Sequence, residues 1–215
     1  MIDCPNVSAQ SRKIHAVRAL AVAALAVACS EGSDTPGPGG GSGGSTPLGV
    51  LVGPCDAIVE QHPNEGAAHV PACSEVSYGS NPPSSGNHYP NWAAFQSYDF
   101  AVPRGFLVHA LEHGAVVLHY NCPDGCATDV EAAQAMIDLL PDDPVCAGTG
   151  LRHRVILTPD PLLDVTWAAS AWDFTLRARC FSADEFRAFY LEHGQRGPEN
   201  FCNQGIDFAD APPCP

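Results

Sequence analysis

Apolar positions along this chain gather in short runs, and one of those runs is threaded with histidine. From Phe106 to Tyr120 it reads FLVHALEHGAVVLHY. Over Val108 to His113 the pattern suits a helix, which sets His109 and His113 four residues apart on one face. Gly114 ends that helix, because glycine takes a left-handed backbone without steric cost. Ala115 to Tyr120 then reads as a strand, with Val116, Leu118 and Tyr120 on one side and Ala115, Val117 and His119 on the other. A helix end feeding a strand in this way is expected to bring three imidazoles together.

The same reading extends in both directions. Downstream, Pro123-Asp124-Gly125 makes a turn between Cys122 and Cys126. Thr128 or Asp129 caps a helix through about Leu140, with Ala133, Met136, Ile137 and Leu140 inward. Pro141 to Pro144 stops it. Arg154 to Thr158 reads as a strand, and Val165 to Arg177 as one or two more. Ser182, with Glu185 at the capping-box position, opens a helix that runs to His193 and ends at Gly194. Upstream, Leu51-Val52 begins a strand, and Cys55 to Gln61 reads as one or two helical turns. Ser77 to Pro90, SYGSNPPSSGNHYP, is loop, since Pro82 and Pro83 remove two amide donors. Trp92, Phe95 and Tyr98 follow three apart and are read as core. The expected fold is α+β: one small domain with a mixed or antiparallel sheet and two to three helices.

The ends of the chain change what this domain is attached to. Arg12, Lys13 and Arg18 precede the apolar run Ala19 to Ala28, which is too short to span a bilayer and suits an export signal. It closes Leu25-Ala26-Val27-Ala28-Cys29, small residues before a cysteine, as in a lipoprotein signal. Residues 1–29 are therefore expected to be removed or lipidated at Cys29, which would anchor the protein to the cell envelope. Residues 30–48, SEGSDTPGPGGGSGGSTPL, bury too little to offset ordering entropy and are read as a tether. Residues 49–215 form the expected globular domain.

After Cys29 the chain carries 7 Arg, no Lys and 23 Asp plus Glu, a balance of −16. Nucleic acid is excluded as an expected partner, because phosphate binding needs a basic surface. The expected partner is the membrane, through the lipid, and no protein partner is indicated. Eight cysteines follow Cys29: Cys55, Cys73, Cys122, Cys126, Cys146, Cys180, Cys202 and Cys214. An even number in an exported chain reads as up to four disulfides. Proximity in sequence suggests Cys122–Cys126 and Cys55–Cys73.

Several of these pieces together resemble a bacterial family labelled "domain of unknown function 3105". They are NPPSSGNHYPNWAAF at 81–95, VHALEHGAVVLHYNCP at 108–123, VILTPDP at 155–161, AW at 171–172 and GPE at 197–199. The resemblance implies an exported or membrane-anchored protein and implies no activity.

Candidate chemistry centres on His88, His109, His113 and His119, four of the nine histidines within 32 positions. Imidazole nitrogen is a ligand for zinc and copper, and this set is read as a transition-metal site. Glu112 is expected to stand behind it, orienting an imidazole or acting as a base. Methionine occurs only at Met1 and Met136, which favours zinc or copper(II) over copper(I). Alternatives remain at this stage. His109-Ala-Leu-Glu112-His113 spells the H-x-x-E-H of inverted zinc peptidases, with Glu185, Glu192 or Glu199 as a third ligand. Cys122 and Cys126 are candidates for thiol redox work. A non-catalytic envelope-binding module would use its histidines only to hold loops, with Glu199 pairing Arg196 or Arg154. His62 and His69 are read as surface-loop residues.

Overall fold

A computed structural model of the protein describes residues 46–50, 53–208 and 214. The expected export signal, Cys29, Leu51-Val52 and most of the expected tether lie outside those residues. In chain order the elements are β1 (Thr46–Val50), β2 (Ile58–Gln61), α1 (Arg104–Glu112), β3 (Val116–Tyr120), α2 (Ala127–Asp138), β4 (Val155–Pro159), β5 (Trp167–Ala171), β6 (Phe174–Ala178) and α3 (Ala183–His193). A 3-10 turn at Pro144–Cys146 lies between α2 and β4. The sheet has six strands in the order β1-β2-β6-β5-β3-β4. β3 and β4 pair in parallel, and the other pairs are antiparallel. This is the expected α+β fold with a mixed sheet. Among the described residues no helix is long and apolar enough to cross a membrane.

The sheet separates two apolar cores. On one side Val116, Leu118, Trp167 and Leu176 pack with Met136 of α2 and with Phe186 and Phe189 of α3. On the other, Val117 and Ile156 pack with Leu107, Val108 and Leu111 of α1. β3 is buried on both faces, which is why it reads as a nearly unbroken apolar run. α1 is buried all the way from Gly105 to Glu112. With no polar stripe to mark its start, it begins four residues before the Val108 expected from sequence. Its end is as expected. Gly114 adopts φ +85°, and the amides of Gly114 and Ala115 donate back to Leu111 O and Ala110 O at 2.8 and 3.0 Å. α3 also matches: the Ser182 hydroxyl accepts from the Glu185 amide at its first turn.

Two expectations need correction. Ile58–Gln61 is a strand, not helical turns, because it pairs along β6 from Ile58↔Arg177 to Gln61↔Phe174. β1 begins at Thr46, inside the stretch read as tether, since it pairs with β2. In the Trp92–Tyr98 segment, Phe95 and Tyr98 are core as expected, and isolated bridges, Ala93↔Ile206 and Ser97↔Leu157, tie the segment in place.

All eight cysteines after Cys29 are paired, as Cys55–Cys180, Cys73–Cys214, Cys122–Cys126 and Cys146–Cys202. The Cys55–Cys73 pairing suggested by proximity is overturned. The β2–β6 ladder carries Cys55 to the end of β6, where its carbonyl accepts from the Arg179 amide at 3.2 Å, beside Cys180. Four disulfides point to a domain that works outside the reducing cytoplasm.

Candidate metal centre

Four pieces of chain meet at the C-terminal end of α1. The first two are the segments around His69 and His88, joined by an isolated parallel bridge. The Val70 amide donates to His88 O at 2.8 Å, and the His88 amide to Ala68 O at 3.0 Å. The third is α1 itself, whose pitch sets His109, Glu112 and His113 on one face. The fourth is the segment Gly197–Phe201. A Cβ on Gly197 would lie 2.2 Å from Glu112 O and 2.5 Å from Leu111 O, so only glycine lets this segment lie against the helix end. There the Glu199 amide donates to Glu112 O at 3.1 Å. Buried Arg154 locks the corner. Its Nε donates to Asp143 Oδ2 at 2.7 Å, and its Nη1 donates to His113 O and to Asn200 Oδ1.

These segments gather the side chains of His69, His88, His109, Glu112, His113 and Glu199. One donor atom from each of His69, His88, His109 and Glu112 falls within 4.8 Å of the others, and Glu112, His113 and Glu199 form a second such set. His88 Nε2 stands 3.1 Å from Glu112 Oε2, His109 Nε2 stands 3.2 Å from His113 Nε2, and His113 Nε2 stands 3.1 Å from Glu199 Oε2. Metal–nitrogen bonds of about 2.0–2.1 Å at a tetrahedral ion put neighbouring ligand atoms about 3.3 Å apart. The His88–Glu112 and His113–Glu199 separations are of that size.

The proton inventory is the telling feature. His88 Nδ1 donates to Gly86 O at 2.9 Å and His109 Nδ1 to Tyr89 O at 2.5 Å. A carbonyl only accepts, so each imidazole spends its Nδ1 proton there, and Nε2 faces the cluster. Backbone carbonyls orient metal-ligating histidines in the same way. His88 is wholly buried, and its Nε2 has no aligned hydrogen-bond partner despite the nearby carboxylate. Burial also keeps His109 and His113 from taking extra protons. It pushes their pKa values down to about 4 and about 3, and the neighbouring histidines push in the same direction. Burial raises Glu112, and Glu199 adds to that while His88 opposes it. Lone pairs and carboxylate oxygens thus converge where few protons are available, an arrangement that favours a cation.

His119 stands apart. It shares the α1-facing side of the sheet, but β3 returns antiparallel to α1 and carries His119 back toward the start of the helix. Its Nε2 meets Ser170 Oγ at 3.0 Å, and its Nδ1 lies 3.3 Å from Asp160 Oδ2. Arg104, at the start of α1, holds the same Asp160 oxygen at 2.8 Å through Nη2 and reaches Asn81 Oδ1 at 2.7 Å. The order Ser170–His119–Asp160 imitates a hydrolytic triad, but Ser170 is 1% exposed and no substrate reaches it. The group anchors the Asn81 loop.

That anchor makes stability acid-sensitive. Burial alone would raise Asp160, but the His119 contact and the Arg104 charge outweigh it and hold Asp160 at about 2. A depressed carboxylate stabilises the fold above its unfolded pKa near 3.8, and this contribution disappears as pH falls through about 2. Burial lowers His119 as well, so its protonation in the unfolded chain also favours unfolding below about pH 6.5. Asp160→Asn is expected to cost about 2 kcal/mol at pH 7 and to flatten the loss of stability between about pH 4 and 2. Urea midpoints against pH measure both, and an unchanged acid limb would remove Asp160 from this role.

The remaining expectations sort as follows. Glu112 lies within the cluster, not behind it. The sequence places His69 in a surface loop. Its side chain is exposed, yet its ring stacks on His109 with centroids 4.9 Å apart. Glu199 meets His113 and neither arginine, since Arg154 is occupied by Asp143. His62 is buried against Thr175, away from the cluster. No sequence signal marks His69, because a bridge between residues 19 positions apart brings it in. For Glu199, the signal is the glycine two positions earlier. Cys122 and Cys126 are joined as a disulfide. A cavity elsewhere in the fold is lined by Leu48, Val59, Phe189 and His193.

No curated protein and no solved structure matches the chain. The profile of a family described as "Protein of unknown function (DUF3105)" matches residues 69–205, a span that begins at His69 and includes every side chain of the cluster. It leaves β1, β2, Cys55 and Cys214 outside. That span exceeds half of the 215 residues, so the chain belongs to this family, Protein of unknown function (DUF3105).

Proposed function

We propose that this protein is an exported, lipid-anchored domain that binds a transition metal, zinc or copper(II), through His88, His109 and Glu112, with His69 at the open edge. The observation that carries the reading is the buried His88 Nε2, unpartnered and aimed at Glu112 and His109, with its Nδ1 proton already committed to Gly86 O. Neutral imidazoles with a carboxylate suit zinc or copper(II). The basic and apolar pattern ending at Cys29 supports export and lipidation, and the four disulfides support an oxidising compartment. The balance of −16 after Cys29 disfavours nucleic acid as a partner.

Elemental analysis of the full chain purified from the membrane fraction tests the metal. The parent protein is expected to retain zinc or copper. A His88→Ala/His109→Ala variant is expected to lose more than about 100-fold in affinity, since even losing an outer hydrogen bond to a ligand costs 10–100-fold. The lipid is tested on the same preparation, because Cys29→Ala should move the protein out of the membrane fraction. A parent protein that binds neither metal would leave the histidines as loop-holding residues of an envelope-binding module.

A further inference from the structure

We propose that the cluster is built for two cations, with Glu112 as the bridge between them. This rests on the metal reading above and extends it. The six donor groups do not converge on one point. They sort into His69, His88, His109 and Glu112 on one side and Glu112, His113 and Glu199 on the other, with only Glu112 common to both. A carboxylate has two oxygens, and a shared carboxylate is a natural link between ions about 3.5–4 Å apart. The His109 and His113 nitrogens face each other across 3.2 Å, one from each set.

The second set has its own place for a cation. His113 Nε2 lies 3.2 Å from His109 Nε2 and 3.1 Å from Glu199 Oε2. One nitrogen carries at most one proton, so it cannot satisfy both neighbours. The His113 ring is also held in place. It is 1% exposed, and the rings of Trp92 and Phe201 lie 4.2 and 3.9 Å away between centroids. The Cys146–Cys202 disulfide and the Arg154 contacts fix the segment that carries Phe201 and Glu199.

The two positions differ in access. The first is enclosed by three imidazoles, of which only His69 is exposed. The second has three protein donors, and the Glu199 side chain is 52% exposed. The outer ion therefore keeps positions for water, while the inner ion is nearly surrounded by protein. An ion with open positions beside a second ion is the arrangement that activates bound water.

Zinc titration of the full chain, stripped with chelator, followed by gel filtration and elemental analysis, tests this. The expected result is two zinc per chain, falling to one in Glu199→Gln and in His113→Gln, with the first site intact in both. Because Glu199 is half-exposed, Glu199→Gln is expected to fold, and a thermal melt checks that. Loading with copper(II) gives a second readout. A carboxylate-bridged pair should show a spin-coupled spectrum with reduced intensity, and Glu199→Gln should restore the spectrum of an isolated ion. One zinc in the parent, unchanged in Glu199→Gln, overturns the pair and leaves the single site standing. Two zinc in both proteins, with uncoupled copper spectra, puts the second ion elsewhere on the acidic surface and also overturns it. No zinc in the parent overturns the pair and the metal reading together.

Discussion

Cys55→Ala/Cys180→Ala is expected to lose about 5 kcal/mol of stability, more than twice the roughly 2 kcal/mol lost by Cys122→Ala/Cys126→Ala, by the chain-entropy account of disulfides. The separations drive the difference. Cys55 and Cys180 are 125 residues apart and Cys122 and Cys126 only 4, so the first bond removes far more freedom from the unfolded chain. Cys55 is buried in the core beneath α3, where it joins the start of the β2 ladder to the end of β6. Denaturant midpoints on the two double variants measure the ratio. Equal losses would mean that the long loop is already restrained in the unfolded state by the other three bonds. A domain of this size is stable by only about 5–15 kcal/mol, so the Cys55–Cys180 variant sits near the unfolding threshold.

Arg154→Ala is expected to cost about 3–5 kcal/mol, because it leaves a buried charge without its partner. Arg154 and Asp143 are 1% and 2% exposed, and Asp143 also caps the turn at Pro144 by accepting from the Val145 amide. The loss is expected to extend to the candidate metal centre. Arg154 is the donor to His113 O and to Asn200 Oδ1, so its removal frees the segment that carries Glu199. Metal content at the Glu199 side should fall along with stability. Replacing both members, as Arg154→Met/Asp143→Leu, should cost less than the sum of the single changes. Strict additivity in that cycle would show that the pair is not coupled.

Much of the fold is legible in sequence where a local rule governs it. The α3 cap at Ser182, the stop at Gly194, the alternation of β3 and the end of α1 at Gly114 each depend on a few adjacent residues, and each is present as expected. β2 is not legible in sequence because four residues, IVEQ, carry no decisive period, and the partner that makes them a strand lies more than 100 positions away. The start of α1 was hidden because burial on all sides erases the polar stripe that marks a helix boundary.

The candidate site divides along the same line. His109, Glu112 and His113 are set together by helical pitch alone, so their sequence spacing is sufficient to group them. His88 belongs with them only because its segment lies beside that of His69, and Glu199 only because Gly197 lets its segment touch the helix end. His119 satisfies the local rule and still lies elsewhere, because the strand carrying it runs back along the helix toward Arg104.

The sequence alone determined the acidic balance, the even set of cysteines after Cys29 and the helix-turn-strand unit that displays histidine. Each of these is a matter of composition or of neighbours within one turn or one strand. The tertiary structure alone decided that His69 and His88 join His109 and His113 while His119 does not, how the distant cysteines pair, and that Glu199 joins the imidazoles. Those outcomes depend on contacts between residues far apart in the chain, formed when two faces of one sheet bury their separate cores, and no local period encodes them.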